Sequence, residues 1–287
     1  MNNNIKFLLI TSRPIFWLGP IFIYLAGVVS LSKEWSLVSV FGLLFVTFPM
    51  GLIVYGLNDI ADRESDLINP RKGGIEGSVF KHSQLKLISI SIIVFTLLFL
   101  GLYILVGNYI SLIPLFLIVL FAYLYSFKPI RLKSKPIFDS LSNSLWMLFV
   151  YLLGVTSVAT SFNESITVPK NIWLLLLGIF AAHAISTLPD YAVDKEAGDK
   201  TISGLLTLRG TALLSSTIFI VILVLLKPIN LAFQIYLLIS ALLCASIFLK
   251  PHKNITYYAV WGIFLGFPIA CLYTFLFDIS LLRDLLR

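Results

Sequence analysis

Long uninterrupted runs of apolar residues are the feature that most constrains this chain. A helix needs about 20 apolar residues to cross the hydrocarbon core of a bilayer. Backbone polar groups in lipid must be satisfied within the segment, and these runs are too long for barrel strands, so each run predicts a transmembrane helix. The nine predicted spans are 14–31, 38–57, 85–106, 109–127, 137–159, 169–189, 204–226, 228–249 and 257–278.

The composition agrees with one polytopic membrane domain. Of the 287 residues, 59% are hydrophobic and 12% are charged, and this charged fraction is about half that of an ordinary soluble domain. The length predicts a single all-α domain over residues 1–287. Cys244 and Cys271 both lie in apolar runs, which indicates core residues rather than a disulfide framework or a metal site.

The basic residues predict the orientation. With the N-terminus in the cytoplasm, 16 of the 21 Lys and Arg residues lie on the cytoplasmic side. This asymmetry follows the positive-inside rule and predicts a cytoplasmic N-terminus. The net charge of +7 is therefore mostly a consequence of topology, and we recognise no nucleic-acid-binding module.

The acidic residues form two clusters, each at the predicted cytoplasmic end of a span. The first is NDIADRESD, residues 58–66, and the second lies in DYAVDKEAGDKT, residues 190–201. Each cluster contains two Asp residues four positions apart, namely Asp62 with Asp66 and Asp190 with Asp194. Asn58 precedes Asp62 by the same interval. If the helices continue through the clusters, these side chains lie on one face, one turn apart.

Paired carboxylates at the end of a membrane helix require a compensating charge. Like charges at this spacing destabilise a helix by a few tenths of a kcal/mol, and a position facing lipid costs more. Carboxylate and amide oxygens are the ligands that Mg²⁺ prefers, and neither cluster contains the His that zinc would favour. Mg²⁺ often bridges carboxylates to substrate phosphates. Two facing clusters therefore predict a metal-lined cage for a diphosphate.

Basic residues beside the clusters fit the same ligand, because Lys and Arg neutralise phosphate and Arg can bind it with two hydrogen bonds. Five are candidate diphosphate contacts: Arg13, Arg71, Lys72, Lys128 and Lys200. Arg13 and Lys128 rank first, since each abuts a span and a Pro. The simpler alternative is that these residues only follow the positive-inside rule.

The two motifs resemble those of the UbiA superfamily of intramembrane prenyltransferases. Residues 58–66 fit its N-D-x-x-D-x-x-x-D pattern, and residues 190–201 fit its second Asp pattern. The resemblance extends to SRPIFW near the N-terminus, to YSFKPIRLKSKP after the fourth span, and to the count of nine helices. It implies a nine-helix bundle around a central cavity open to lipid, and Mg²⁺-dependent ionisation of a prenyl diphosphate.

The resemblance also implies roles for individual residues. One Mg²⁺ would be held by Asn58, Asp62 and Asp66, with Asp59 as a further ligand or a close neighbour. A second Mg²⁺ would be held by Asp190 and Asp194. The expected partners are thus a prenyl diphosphate, a lipophilic acceptor and the lipid of the cell membrane.

The acceptor is predicted from a weaker signal. NPRKGGIEGSVF, together with DRESD, is more similar to the branch that lengthens carotenoids, the lycopene elongases. An acyclic polyene is therefore the preferred acceptor. Prenylation of an aromatic ring, as in quinone pathways, is the main alternative, and other isoprenoid chemistry such as cyclisation is a third.

Several further polar and aromatic residues have two interpretations. His183, Tyr125 and Tyr191 could line the cavity, where aromatic rings stabilise a carbocation. A hydrogen-bonded interior position is the simpler reading for His183. Asp139, at the start of the fifth span, is expected to cap its helix rather than to bind metal.

A secondary transporter is the alternative from another class. Transporters also have many spans and membrane carboxylates, but those acids usually lie near the bilayer midplane. Both clusters here lie at span ends, beside basic residues, which favours diphosphate chemistry.

Overall fold

The structure is a computed structural model that describes residues 3–31, 33–66, 82–166, 168–192, 200–227 and 229–285. Within these ranges the regular structure is entirely helical. The α-helices are α1 Asn3–Thr11, α2 Leu18–Ser30, α3 Leu37–Phe45, α4 Phe48–Ala61, α5 Arg63–Asp66, α6 His82–Leu105, α7 Leu112–Ser126, α8 Phe138–Thr156, α9 Phe162–Ser165, α10 Lys170–Ser186, α11 Ile202–Leu225, α12 Leu231–Leu249, α13 Lys253–Phe277 and α14 Ile279–Leu285. Short 3₁₀ turns lie at Pro14–Phe16, Tyr109–Ser111 and Leu132–Ser134.

Eight helical segments of the described chain are long and apolar enough to cross a membrane. A ninth crossing is added if α1 and the segment Pro14–Ser30, which are bent by 40° relative to each other, form one span. The all-helical membrane fold is thus confirmed, whereas nine crossings and a cytoplasmic N-terminus stay predictions. Large apolar side chains such as Leu97 and Leu242 are exposed, as expected for surfaces that contact lipid.

One predicted span is broken, and a bend precedes another. The bend lies before Pro14, the start of the first predicted span, where Arg13 has a left-handed backbone with φ 50° and ψ 70°. The second predicted span is broken at Val46 and Thr47, where α3 ends and α4 begins. Pro49 lies in the first turn of α4, a position that proline favours because that turn lacks intrahelical acceptors for its N–H groups.

The chain divides into two compact units. The first contains Met1–Arg131 and Trp146–Thr167. In it, α2 and the second part of α8 cross closely at Gly27 and Gly154, where an added Cβ would overlap the facing backbone. Small residues allow such backbone approach between membrane helices.

A buried tyrosine fixes the same crossing. The Tyr24 hydroxyl donates to the Ser39 carbonyl oxygen at 2.8 Å and lies 3.1 Å from the Ser157 hydroxyl. One side chain of α2 therefore connects α3 to the end of α8, and this contact fixes the positions of these three helices within the first unit.

The second unit contains Leu132–Leu145 and Val168–Arg287. Its helices are joined by hydroxyl groups that donate to carbonyl oxygens of neighbouring helices. Ser215 donates to Ala181 at 3.1 Å, and Ser216 donates to Ala241 at 2.9 Å. Two sides of α11 are thereby fixed to α10 and α12, an arrangement typical of helices packed in membranes.

Candidate active site

The first Asp motif lies where α4 ends. The last turn of α4 carries Asn58 and Asp59, and Asp62 follows its final residue, Ala61. The Asp62 N–H donates to the Asn58 carbonyl oxygen at 2.9 Å, so these two residues are one turn apart as predicted. α4 ends at Ala61 and does not continue through the motif; a second, short helix, α5, begins at Arg63. The side chain of Asp66 lies outside the described part of the chain, as do Arg71 and Lys72.

Arg13 and Asp59 form a buried ion pair. Arg13 Nη2 donates to Asp59 Oδ1 at 2.6 Å. The Asp59 side chain is fully buried and that of Arg13 is 12% exposed. A buried carboxylate is costly unless it is paired and hydrogen-bonded. The structure therefore joins two residues that the sequence placed in the site separately, as a diphosphate contact and a metal ligand.

An aromatic ring completes the surroundings of Arg13. Its guanidinium carbon lies 4.6 Å from the centre of the Tyr55 ring, within the range of a cation–π interaction. Tyr55 precedes Asp59 by one turn of α4, so one helix face supplies both the ring and the carboxylate. Tyr55 was not among the residues predicted from the sequence, although its spacing of one helical turn from Asp59 is a signal that identifies it.

Asp62 has a different arginine as its partner. Arg131 Nη2 donates to Asp62 Oδ1 at 3.3 Å, and the two side chains are 20% and 14% exposed. Lys128 was the preferred diphosphate contact in this loop, but its side chain is exposed. Arg131 also has a left-handed backbone, with φ 40°. Its longer reach and planar donor group distinguish it from the neighbouring lysines.

The second Asp motif follows α10. Asp190 lies four residues beyond Ser186, the last residue of α10, so α10 itself ends before this motif. Asp190 and Tyr191 are half-buried, and Lys200 is exposed. Asp194 lies outside the described residues.

Two of the remaining candidates have identified surroundings. His183 Nδ1 lies 3.0 Å from the Ser140 hydroxyl, which agrees with the simpler prediction of a hydrogen-bonded interior residue. Tyr125, near the end of α7, is half-buried. Its proposed contact with a carbocation stays a prediction.

Asp139 accepts backbone hydrogen bonds. The Ser140 N–H donates to its Oδ1 at 2.8 Å and the Ile202 N–H donates to its Oδ2 at 2.7 Å. Asp139 is 1% exposed. The carboxylate thus has the capping type of interaction that the sequence favoured, and one of its two donors belongs to a different helix, α11.

The donor atoms of the first motif fit a hard cation. Asn58 and Asp62 supply amide and carboxylate oxygens one turn apart, and such oxygens suit Mg²⁺. The described residues include no group of three or more His, Cys, Asp or Glu side chains that is positioned to hold a metal. Asp66 and Asp194 would have to complete any binding set.

The fold and the motifs together define a class: helical membrane proteins with acidic and basic side chains gathered where a span ends. Comparison with known proteins identifies the group within it. The chain belongs to the UbiA prenyltransferase family, which matches residues 14–260. It is therefore a prenyltransferase, and the transporter alternative is not supported.

Curated relatives come from carotenoid metabolism. The chain is 29% identical over 224 residues to a lycopene elongase/hydratase of Corynebacterium glutamicum, covering 77% of this chain and 76% of the relative. It is 30% identical over 222 residues to a lycopene elongase/hydratase of Haloferax volcanii, covering 74% and 68%. These relatives agree with the branch that the first motif and its following segment resemble.

Solved structures share the fold at low sequence identity. A UbiA homologue from Archaeoglobus fulgidus bound to DMAPP and Mg²⁺ has a TM-score of 0.61 and 20% identity, covering 91% of this chain and 98% of that chain. The apo structure of a UbiA homologue from Aeropyrum pernix K1 has a TM-score of 0.66 and 16% identity, covering 94% and 98%. Both likenesses extend over nearly the whole chain.

Proposed function

We propose that this prenyltransferase ionises a prenyl diphosphate with the help of Mg²⁺ and transfers the allylic group to an acyclic polyene of the carotenoid type. The observation that carries the proposal is the end of α4. There Asn58 and Asp62, whose side chains carry oxygens suited to Mg²⁺, are one turn apart, and Arg131 lies 3.3 Å from Asp62. A proposed metal ligand thus lies beside a guanidinium suited to phosphate.

Asn58, Asp62 and Asp66 would hold one Mg²⁺, with Asp59 close by, and Asp190 and Asp194 would hold a second. When bound, Mg²⁺ supplies Lewis-acid stabilisation for the negative charge of the departing diphosphate. Asp59 differs from Asp62, because its side chain is fully buried and lies 2.6 Å from Arg13, whereas the Asp62 side chain is 14% exposed and lies 3.3 Å from Arg131. We therefore assign Asp59 to shaping the site rather than to direct ligation.

The basic residues would bind the diphosphate oxygens. Arg131 joins the predicted contacts, since it is partly exposed and already neighbours Asp62. The other contacts would be Arg71, Lys72, Lys128 and Lys200. Arg13 is committed to Asp59, so its effect on the diphosphate would be electrostatic and indirect.

The reaction requires a dry, apolar space for a cation. The C1–O bond of the prenyl diphosphate breaks, and diphosphate leaves with the bonding pair. A double bond of the acceptor then attacks C1. The new cation on the acceptor loses a proton to diphosphate or to a carboxylate, which restores neutrality. Apolar spans exclude water from these intermediates.

The proposed acceptor is supported by the curated relatives, which are named lycopene elongase/hydratase. A polyene also suits a protein whose surface faces lipid, because such an acceptor reaches it from the bilayer. The enzyme would lie in the cell membrane as one domain, with both Asp motifs at the cytoplasmic face, as the distribution of basic residues predicts.

An acceptor-choice assay tests the proposal. The protein is reconstituted in lipid with Mg²⁺ and radiolabelled dimethylallyl diphosphate, and it is offered lycopene or 4-hydroxybenzoate. We expect Mg²⁺-dependent label in the polyene. The product mass shows whether the acceptor cation lost a proton or gained water. Label in the ring alone would replace the acceptor, and absence of transfer from any prenyl diphosphate would refute the mechanism.

Matched acid variants test the site. We expect Asp62→Asn to lower the rate of transfer by about 100-fold, the size of effect seen when one electrostatic contact to the transition state is removed. Glu164→Gln is the control in the same unit, since Glu164 pairs with Lys33 away from the motif. Equal rates for the two variants would contradict the assignment of Asp62.

A further inference from the structure

A buried carboxylate outside both Asp motifs connects two helix starts. Asp139 is the second residue of α8, and each of its oxygens accepts a backbone N–H, one from Ser140 and one from Ile202. Ile202 is the first residue of α11. The first N–H groups of a helix lack intrahelical partners and attract negative charge. Asp139 therefore stabilises the start of its own helix and that of α11.

The start of α8 also contacts the end of α10. Ser140, next to Asp139, places its hydroxyl 3.0 Å from His183 Nδ1. In the chain, α10 precedes the second Asp motif and α11 follows it. Adjacent residues of α8 thus hold the helix on each side of this motif.

A second contact joins the two flanks directly. The Ser203 hydroxyl donates to the Thr187 carbonyl oxygen at 3.4 Å and lies 3.0 Å from the Thr201 hydroxyl. All three residues are buried. The chain therefore leaves α10 and enters α11 at one place, and Asp139 fixes the entry side.

We propose that Asp139 is a positioning residue for Asp190, the first acid of the second Asp motif. By holding the Ile202 N–H, Asp139 fixes the start of α11, which through Ser203 contacts Thr187, three residues before Asp190. The inference rests on the proposed function, in which the Asp190 carboxylate helps to hold Mg²⁺. Residues that orient metal ligands without touching the metal typically change metal affinity by about 10-fold or more when mutated.

A pair of substitutions at Ile202 isolates the hydrogen bond. Ile202→Pro removes the N–H, and proline is well tolerated at the first position of a helix. Ile202→Ala loses most of the same buried side chain but keeps the N–H. If Ile202→Pro binds metal more weakly than Ile202→Ala, the additional loss of affinity therefore reports the hydrogen bond to Asp139.

Variants on α8 complete the set. Asp139→Asn keeps the size of the side chain, but it can accept at only one oxygen and loses the charge. Ser144→Ala is the control, because the Ser144 hydroxyl is buried on the same helix and donates to Leu176 rather than to a residue flanking the motif. The double variant of Asp139→Asn with Ile202→Pro tests whether the two act through one contact.

The measurement is Mn²⁺ binding, followed by electron paramagnetic resonance on the full-length protein in lipid nanodiscs with inorganic diphosphate present. We expect Ile202→Pro to raise the half-saturating Mn²⁺ concentration about 10-fold above that of Ile202→Ala, and Asp139→Asn to raise it similarly. Ser144→Ala should bind like the unmodified chain. The double variant should be no weaker than Asp139→Asn alone. Melting temperatures measured without metal are the control for stability. We expect their order among the variants to differ from the order of the half-saturating Mn²⁺ concentrations.

Two results would overturn the inference. If Ile202→Pro binds Mn²⁺ like Ile202→Ala while the unmodified enzyme needs metal, Asp139 has only a structural role and the proposed function stands. If the unmodified protein neither binds Mn²⁺ with diphosphate nor requires Mg²⁺ for transfer, the proposed function and this inference both fail. If Asp139→Asn does not fold, Mn²⁺ binding by Ile202→Pro and Ile202→Ala still tests the inference.

Discussion

The ion pair between Arg13 and Asp59 gives the sharpest stability prediction, because its side chains are buried, unlike those of an ordinary surface pair. Replacing Arg13 by Ala leaves the fully buried carboxylate of Asp59 without its 2.6 Å partner. Breaking a buried pair from one side typically costs about 3–5 kcal/mol. The substitution also removes the cation–π contact with Tyr55 at 4.6 Å, which is of the order of 1 kcal/mol. We expect Arg13→Ala to lose about 4 kcal/mol of unfolding free energy, within the range for a broken buried pair.

The backbone at Arg13 supplies an internal check. Its φ of 50° and ψ of 70° lie in the left-handed region, which costs an L-residue other than glycine about 1–2 kcal/mol. Arg13→Gly removes the same side chain but relieves this strain, so it should be less destabilising than Arg13→Ala. Arg13→Lys keeps the charge and should fall between Arg13→Ala and the unmodified chain, since it lacks the planar donor group.

The assay is reversible unfolding by denaturing detergent in mixed micelles, followed by tryptophan fluorescence. Lys33→Ala is the matched control, because the pair of Lys33 with Glu164 belongs to the same unit and its side chains are 28% and 36% exposed. An exposed pair contributes about 0–1 kcal/mol. If Arg13→Ala costs no more than Lys33→Ala, the reasoning from burial is wrong.

Two further predictions concern backbone geometry. An added Cβ at Gly51 would lie 2.5 Å from the Ser12 carbonyl oxygen, so Gly51→Ala should lower the unfolding free energy by about 1–3 kcal/mol. Gly101 has open space around it, so Gly101→Ala should be neutral or stabilising. Thermal unfolding of the two variants checks this. Thr207, inside α11, has φ 67° and ψ 170°, a region that is essentially reserved for glycine and costs other residues about 1–3 kcal/mol. Thr207→Gly should therefore raise stability by about 1 kcal/mol, while Thr211→Gly in the regular part of the helix should lower it, and the opposite order in detergent denaturation would show that the kink is unstrained.

Local chemistry explains what could be read from the sequence. Apolar runs of membrane length can satisfy their backbone only as helices, so most spans were predicted within a few residues. The acids at the ends of two spans have few uses besides binding a cation, and this, together with the family resemblance, made Asn58, Asp62 and Asp190 candidate ligands. The apolar run over 38–57 predicted one unbroken helix and concealed the break at Thr47.

Pairings between distant residues depended on the tertiary structure. Loop sequence favoured Lys128, yet the left-handed turn at Arg131 brings Arg131 rather than Lys128 to Asp62, 69 positions away. Likewise, Asp59 and Arg13 looked like a metal ligand and a diphosphate contact, and only packing of α4 against α1 and the turn Pro14–Phe16 joins them. Asp139 looked like a local cap, and its link to Ile202 exists because α11 begins beside α8. Sequence thus determined which elements form and what chemistry they carry. Tertiary structure determined which charge faces which, because that depends on distances between helices that no local pattern encodes.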